Sequence, residues 1–542
     1  MAPTQEILGP ELLDEEVSLR STREKREETD ATETTSLAED KTLHSLDLDT
    51  EASEAPSNGP NMKETTRTLW MRVTLTLLMF SAFLTSSGML DGLRGPTMID
   101  LAKYFGTEIK SISNIVTLGG SAGSITGATF AGFFLDRFER YTTAYLSLAA
   151  VGAGLSTALY TATKDLYVFG AAVVSFGFFA GSITTGEENC QGHFVPKPAP
   201  SSQTRKQLSH SITAGNVLCL SLWRGHRLSP AMMQTIHFAY SLGSSVAPML
   251  AKPFLSHDTA GCETASEEKL SQIEVDEVHM DTLFPIAGGI CVMLAVMFIP
   301  AVVWDAILMR NNMAEVKVEP GPKASKSSIS KRIWKKIEAY KSGAASMPGR
   351  EMAFVAIMFT FFFAWVGLEH MVGLFLSPFA CRSSLNLNTK TGAEITLGFY
   401  STFALGRLLA IFVSTRVRPF YIIAFSFLIC LASSTVLAAA ADTAEVWLWA
   451  GSISAGMGMA ATYATTFAWV EEHLTVTAGI GGLLTVAGSL GPDVMPLLVG
   501  NYIQESPMVM MYLYVAVVVV CIALFGGASV IARGIKRGKE GQ

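Results

Sequence analysis

Charged residues are scarce in this sequence. Only 16% of its 542 residues are Asp, Glu, Lys or Arg, whereas a soluble protein carries about 25%. Apolar residues make up 49% of the chain, and its 46 glycines suit membrane helices, in which glycine is more frequent than in soluble ones. This composition argues against the roughly three or four soluble domains that the length alone would allow. It predicts a protein embedded in a lipid bilayer.

Motifs for catalysis and for metal binding are also missing. The seven cysteines include no CxxC pair and no spacing toward histidine of the kind that binds metal. Neither a Walker loop nor a nucleophile constellation is present. These absences argue against an ATP-driven pump, an enzyme, a resident metal or a cofactor, and leave Na⁺ or H⁺ as co-transported ions. Cys262 and Cys381 could face outside and pair, although the sequence does not establish a bond.

Residues 1–66 differ in composition from the rest of the chain. They contain 17 Asp or Glu against 6 Lys or Arg, a balance of −11, so the remainder carries +4 of the net −7. Low hydrophobicity and many Ser, Thr and Glu residues predict a disordered acidic tail on the cytoplasmic side. The segment also lacks the apolar stretch of a signal peptide, so we expect the first span to act as the insertion signal.

Twelve apolar stretches have the length of a bilayer-spanning helix, about 20 residues. They lie near 69–93, 112–135, 142–162, 166–186, 229–253, 283–308, 352–380, 393–415, 419–440, 447–470, 477–500 and 508–532. The fifth is the most polar, which indicates a helix that lines a cavity. The predicted fold is an all-α membrane protein with twelve transmembrane helices in two six-helix lobes.

The basic residues predict the orientation. Lys and Arg near span ends cluster on one side if both termini are cytoplasmic, and only the loop 94–111 disagrees. A basic linker at 309–351 separates an N-terminal lobe, 67–308, from a C-terminal lobe, 352–533, which a short cytoplasmic tail, 534–542, follows. Two halves joined by a cytoplasmic loop are typical of a transporter with a central site.

A charged motif, "GFFLDRFERY", ends the second span. It resembles the loop motif of the major facilitator superfamily, whose glycine, Asp-Arg pair and later basic residue match Gly132, Asp136, Arg137 and Arg140. In that family the acid and the base help to lock the halves together in one state, as a charge pair at a two-state interface can. The alternative is an ordinary basic stop after a helix.

The same resemblance implies a degenerate copy of this motif after the eighth span. The stretch "GRLLAIFVSTRVRP" fits, with Gly406, Arg407 and Arg416, although it lacks the acid. Within the second span, Gly119, Gly123 and Gly127 recur every four residues. Small residues at this period predict helices that pack backbone to backbone.

Four further stretches resemble the sodium-dependent glucose transporter-like members of that superfamily, over most of residues 69–532. They are "GLRGPTMIDLA", "GNVLCLSLW", "QTIHFAYSLGSSVAPMLAKPF" and "GPDVMPLLVG". The resemblance implies sugar transport. In the family's fourth-span motif an acid often stands beside the glycine pair, whereas this chain has Thr184, Thr185 and Gly186 there, which leaves both symport and facilitated diffusion open.

The polar stretch 187–214 interrupts the fourth span. It contains three prolines and several charges, so it cannot lie in lipid. Its apolar flanks read together as one helix, which indicates either an insertion specific to this chain or an intron wrongly kept in the predicted coding sequence. A true insertion moves Asn216, a candidate substrate contact, out of register.

Three acids fall within predicted spans, where an ionisable group costs roughly 2.5–3.5 kcal/mol and usually has a function. Glu369 could bind a coupling Na⁺ or proton, with Trp365 one turn back to stack on a sugar, or it could pair with a neighbouring helix. Asp493 lies between Pro492 and Pro496, whose freed carbonyls suit a cation, or it marks a structural kink. Asp91 is a third ion-coupling candidate, or it contacts a nearby arginine at the outer mouth.

One face of the fifth span is polar. Gln234, His237, Ser241 and Ser245 follow a three-to-four spacing, which places them on the same side of a helix. Neutral amide, imidazole and hydroxyl groups suit a hydroxyl-rich sugar, and Tyr463 and Asn216 are weaker candidates. An interhelical hydrogen-bond network is the alternative.

These patterns together favour a secondary or facilitative transporter that moves a hexose such as glucose by alternating access. The expected partners are a small solute and the lipid bilayer, with no nucleic acid, and we expect a monomer in the plasma membrane because the C-terminus "RGIKRGKEGQ" shows no retention signal. The alternatives are a carrier of another small polar or organic solute and a non-transporting membrane sensor or scaffold on the same fold.

Overall fold

The computed structural model describes residues 76–77, 80–137, 142–186, 229–256, 279–296, 299, 303, 349–474 and 478–540. Among these residues every regular element is helical. The α-helices of the N-terminal half are α1 (Arg94–Phe105), α2 (Ile109–Asn114), α3 (Gly120–Arg137), α4 (Thr142–Ala158), α5 (Leu166–Gly186), α6 (Ser229–Ala251) and α7 (Met280–Val296). Those of the C-terminal half are α8 (Gly349–Arg382), α9 (Thr389–Val413), α10 (Pro419–Ala440), α11 (Glu445–Met459), α12 (Thr462–His473), α13 (Ala478–Gly500) and α14 (Val509–Glu540).

Several helices have the length and composition of membrane spans. In the described part of the chain, six are long and apolar enough to cross a bilayer: α8, α9, α10 and the stretches Leu166–Ile183, Ile480–Gly500 and Val509–Ile535 of α5, α13 and α14. Shorter apolar helices lie at Phe80–Leu90, Ser147–Ala158 and Met280–Val296. The all-helical membrane protein that the composition predicts is therefore confirmed, while the count of twelve spans and the acidic tail 1–66 depend on residues outside the described ranges.

Two stretches are π-helical rather than α-helical. Phe83–Leu90 leads toward α1, and Ile115–Gly119 joins α2 directly to α3. Such wide turns are rare, and they often occur at functional sites. Both stretches lie beside the polar groups described below.

The segment 94–111, which the sequence suggests is a loop, is largely helical. Residues Arg94–Phe105 form α1, which ends at Gly106 with a left-handed φ of 62°. Arg94 Nη1 lies 2.8 Å from Asp91 Oδ1, and Lys103 Nζ lies 3.5 Å from Asp100 Oδ1. These two bases are therefore paired with acids rather than free.

Small residues allow α3 and α5 to pack closely. A side-chain carbon built on Gly123 would lie 2.8 Å from the backbone nitrogen of Phe178, and one on Gly127 would collide with the backbone of the same residue. From the opposite side, a carbon on Gly181 would lie 2.7 Å from Ser124 Cα. The spacing of glycines in the second span thus forms the backbone-to-backbone contact that the sequence predicts.

The two halves of the chain meet along several helix pairs in the described part of the structure. Among them, helix α6 packs against α9, α1 packs against α8, and α2 packs against α13. The first contact carries the polar face of α6, so the polar side chains predicted from the sequence face the C-terminal half. This interface positions the candidate site.

Candidate functional site

Helix α6 presents a buried polar face to the C-terminal half. Gln234, His237 and Ser241 have exposed fractions of 2%, 8% and 0%. Gln234 Nε2 lies 3.5 Å from Thr465 Oγ1 of α12, at the long limit of a hydrogen bond. The His237 ring stands edge-on to Tyr463, with ring centroids 5.0 Å apart. The structure therefore brings Gln234, His237 and Tyr463 together as one group.

Arg407 of α9 is the centre of the interface. Its Nη2 lies 2.9 Å from Glu369 Oε1, and the two side chains are 3% and 5% exposed. Its Nη1 donates to the His237 carbonyl at 2.8 Å and to Ser241 Oγ at 3.0 Å, and its Nε donates to the Ala460 carbonyl at 3.1 Å. One guanidinium thus links α9 to α6 of the N-terminal half and to α8 and the end of α11 in the C-terminal half.

Two aromatic rings complete the surroundings of this arginine. The Arg407 guanidinium carbon lies 4.1 Å from the ring centroid of Phe403 and 5.4 Å from that of Tyr240. A planar guanidinium presents five donors in a fixed fork and stacks on aromatic faces. Its position therefore depends on shape as well as charge.

The position of Arg407 corrects the sequence analysis. The resemblance placed it in a loop motif after the eighth span, but it lies inside Thr389–Val413 and is buried. A buried guanidinium needs an acid nearby, and Glu369 supplies it. The neighbouring-helix partner that was the alternative reading of Glu369 is thus present.

Trp365 does not line the polar interface with Glu369. Its indole is 1% exposed and lies in an aromatic group of the C-terminal half, 5.9 Å from the Phe361 ring and 5.6 Å from the Phe427 ring. Apolar packing one turn before Glu369 provides this environment. In this conformation Trp365 has no open face on which a sugar ring could stack.

Asp91 and Asp493 belong to a second polar group between the halves. Asp91 pairs with Arg94 and also lies 3.8 Å from His370 Nε2 of α8. Asp493 of α13 accepts a hydrogen bond from Ser121 Oγ of α3. His370 follows Glu369 in sequence, so neighbouring residues of α8 face two different polar groups.

The remaining predicted residues are not placed at this interface. Gly132, Asp136 and Arg137 lie in the last turns of α3, with side chains outside the described part of the structure. Arg140 and Asn216 lie outside the described residues altogether. Their roles in gating and substrate binding stay predictions.

The pairing of Asp91 with Arg94 is the alternative that the sequence analysis gave for Asp91. Three interface residues were missed by that analysis: Ser121, Tyr240 and His370. His370 is an ionisable residue within a predicted span and beside Glu369, so the rule for ionisable groups in spans would have found it. Ser121 and Tyr240 carry no such signal. A hydroxyl in a helix usually bonds its own preceding turn, as Ser121 does with the Thr117 carbonyl at 2.6 Å.

A buried hydrogen-bonded group joins the halves at one end of the bundle. Asp100, fully buried on α1, accepts from the Ser256 amide at 3.1 Å and from Ser256 Oγ at 2.7 Å. Thr389 Oγ1 of α9 donates to the Ser256 carbonyl at 2.8 Å, and Lys252 Nζ lies 2.5 Å from Glu394 Oε1. This end of the interface is therefore closed.

We expect Asp100→Asn to destabilise the protein by about 3 kcal/mol, because Lys103 then keeps its buried charge without a counter-charge. Thermal unfolding of the purified chain in detergent would measure this change. Glu108→Gln, an exposed acid just beyond α1, is the matched control and should be neutral. Equal unfolding midpoints for the two variants would show that the Asp100 group does not hold this end closed.

Comparisons with known proteins agree with this architecture. No family model matches the chain. A mouse protein named sodium-dependent glucose transporter 1A is 26% identical over 444 residues, which cover 80% of this chain and 91% of that protein. The human protein named sodium-dependent glucose transporter 1 is 25% identical over 428 residues, with 78% and 72% covered.

More distant relatives share the superfamily name. Major facilitator superfamily domain-containing protein 4A of Xenopus tropicalis is 20% identical over 314 residues, 51% of this chain and 62% of that protein. A crystal structure of the E. coli fucose:proton symporter FucP covers 86% of this chain and 99% of its own, at 15% identity and a TM-score of 0.52, and shows the fold alone. The chain therefore has the fold of the fucose:proton symporter and is similar in sequence to proteins named sodium-dependent glucose transporters, as its motifs predict.

Proposed function

We propose that this protein moves a hexose such as glucose across a membrane by alternating access, coupled to Na⁺ or H⁺. The relatives at 25–26% identity carry sodium and glucose in their names, and the structural neighbour is named a fucose:proton symporter. At these identities a substrate does not transfer by similarity alone. The argument therefore depends on the site.

The observation that carries the proposal is Arg407. Its guanidinium bonds an acid of its own half and two groups of α6 in the other half, all of them buried. Alternating access requires the halves to separate along such a surface. A buried polar link between them is a two-state element, because its bonds exist in one state and must be replaced by water or solute in the other.

The neutral groups beside this link suit a sugar. Gln234 Oε1 and His237 Nε2 are buried and have no hydrogen-bond partner among the described residues. Buried polar atoms are normally paired, and a polyhydroxylated solute supplies both donors and acceptors. Another small polar solute would satisfy the same atoms. These atoms therefore support a hydrogen-bonding polar solute as the substrate class, of which glucose is one member.

We also propose that the chain spans the plasma membrane twelve times. Both termini would then lie in the cytoplasm. Cys381, near the end of α8, is disulfide-bonded, and disulfides persist in oxidising compartments. This supports an outward-facing position for the end of α8 and hence for the neighbouring Asp100 group. Cys262, the partner that the sequence suggests, lies outside the described residues.

Uptake of labelled glucose into proteoliposomes, with and without an inward Na⁺ gradient, tests the function. Stimulation by Na⁺ would support symport, and uptake indifferent to Na⁺ but driven by a proton gradient would support H⁺ coupling. Competition by other hexoses and by unrelated polar solutes would define the substrate class. No uptake above empty vesicles by protein that is shown to be folded would overturn the hexose assignment.

A further inference from the structure

A row of hydroxyl groups faces α13 from the N-terminal half. Ser113, Thr117 and Ser121 follow one another at intervals of four residues along α2, the π-helical stretch and α3. Ser113 Oγ lies against Gly500, so closely that a side-chain carbon built on that glycine would collide with it. Ser121 Oγ donates a hydrogen bond to Asp493. Asp493 and Gly500 lie two turns apart on α13, so Thr117 faces the turn between them.

The oxygens around Ser121 are short of hydrogens. Its Oγ lies within hydrogen-bonding distance of both the Thr117 carbonyl, at 2.6 Å, and Asp493 Oδ1. A serine hydroxyl has one hydrogen, and neither a carbonyl nor a carboxylate has any to give. The Thr117 carbonyl also accepts from the Gly120 amide, but the single Ser121 hydrogen cannot serve both this carbonyl and Asp493, and a positive ion would stabilise the oxygens that face each other there.

Two further oxygens on the same pair of chain segments lack their usual partners. Pro496 lies inside α13 and has no amide hydrogen, so the carbonyl of Pro492 lacks its usual donor. That carbonyl belongs to the residue just before Asp493. Thr117 Oγ1, on a side chain 7% exposed, has no hydrogen-bond partner in the described part of the chain.

The charges nearby leave Asp493 as the acid that is free to hold an ion. Glu369 is paired with Arg407 at 2.9 Å, and Asp91 with Arg94 at 2.8 Å. Within the described ranges, Asp493 has no basic nitrogen within 4.0 Å, and the Arg94 guanidinium, which packs beside Gly120 next to Ser121, is already paired with Asp91. A single carboxylate among otherwise neutral oxygens suits a monovalent cation better than a divalent one, which usually gathers several carboxylates.

We propose that Na⁺ binds between α3 and α13, held by the Asp493 carboxylate, Ser121 Oγ, Thr117 Oγ1 and the Pro492 carbonyl. These ligands come from both halves of the chain, so the bound ion stabilises the conformation in which α3 and α13 are in contact. This inference deepens the proposed transport function by assigning its coupling ion to Asp493 rather than to Glu369. Ion binding itself can be measured without any sugar.

The test is thermal unfolding of the purified full chain in detergent as NaCl replaces choline chloride at constant ionic strength. We expect Na⁺ to raise the unfolding midpoint with saturation, and KCl to have little effect. Asp493→Asn should abolish the Na⁺ effect, and Ser121→Ala or Thr117→Ala should weaken apparent Na⁺ affinity about tenfold. Thr117→Ser, which keeps the hydroxyl, should bind Na⁺ with the affinity of the wild type.

Ser489→Ala is the matched control. Ser489 lies on α13 one turn before Asp493, but it is exposed and bonds the Thr485 carbonyl of its own helix at 3.2 Å. An equal Na⁺ effect in Asp493→Asn and in the wild type would overturn the site. So would a midpoint that responds to pH through Asp493 and not to Na⁺, because the ligand would then be a proton.

Transport assays separate this inference from the proposed function. Saturable, Asp493-dependent stabilisation by Na⁺ without sugar uptake would support the site and overturn the hexose assignment. Sugar uptake by a protein whose unfolding midpoint does not respond to Na⁺ would support the hexose assignment and overturn the Na⁺ site. If Asp493→Asn does not fold, the threonine and serine variants still decide the question.

Discussion

Glu369→Gln should abolish uptake and lower the free energy of unfolding by about 3–5 kcal/mol, because it leaves the buried Arg407 guanidinium without a counter-charge. The amide oxygen can still accept a hydrogen bond, but it cannot neutralise the charge. Arg407 is 3% exposed and has no second acid within 4.0 Å among the described residues, so no other group takes the place of Glu369. Thermal unfolding in detergent and uptake into proteoliposomes measure the two effects.

A double substitution separates stability from transport. Glu369→Met combined with Arg407→Met removes both charges and keeps similar volumes, and replacing a buried ion pair by apolar groups is often neutral or stabilising. We therefore expect the double variant to recover most of the lost stability and to remain inactive. Recovery of uptake as well would show that the pair is structural and that the two-state element lies elsewhere.

The control for this series is Glu505→Gln, which changes the same charge at an exposed position. Surface acids contribute little to stability, so this variant should match the wild type in both assays. If Glu369→Gln also matches the wild type, the interface does not depend on the pair.

Gly127→Val should prevent the N-terminal half from folding. A side-chain carbon at this position would collide with the Phe178 backbone of α5. Overpacking a core by a few methylene groups costs about 1–3 kcal/mol when side chains can move, but here a whole helix would have to shift. We expect little folded protein in the membrane fraction and no single symmetric peak in size-exclusion chromatography.

Gly526→Val tests whether valine itself causes such a loss. Gly526 lies on α14, and a side-chain carbon built there would have no neighbour within 4 Å. This variant should therefore give wild-type yield. Normal yield from Gly127→Val would show that α3 and α5 are further apart than described.

The fold was predictable because it depends on repeated local signals. Long apolar runs indicate spanning helices, and the spacing of Gly119, Gly123 and Gly127 indicates a close helix contact. The segment 94–111 was misread as a loop because α1 is short and polar. Its bases Arg94 and Lys103 pair with Asp91 and Asp100, and such pairs have no signature in an apolar-run pattern.

The candidate site was predictable only in part. The spacing of Gln234, His237 and Ser241 on α6 correctly indicated one buried polar face. Arg407 was linked to a loop motif, and its pairing with Glu369, 38 residues earlier, has no local signature. Searching the spans for bases as well as acids would have found both members of the pair. The surroundings of Trp365 depend on which side of α8 packs against aromatic residues, and helical period alone does not decide this.

The π-helical stretch Ile115–Gly119 determines which changes in chain length the interface can tolerate. Ser113 and Ser121 are separated by eight residues, which in a regular helix would turn them about 80° apart, yet both contact α13. The wider turn absorbs one residue and brings the two hydroxyls back to the same side. In a homologue that lacks one residue here, the two hydroxyls would be seven residues apart. A regular helix would then keep both on the side that faces α13, since seven residues return to within about 20° of the starting direction. A homologue with one residue more would turn Ser121 away from Asp493, so deletions should be found in this stretch and insertions should not.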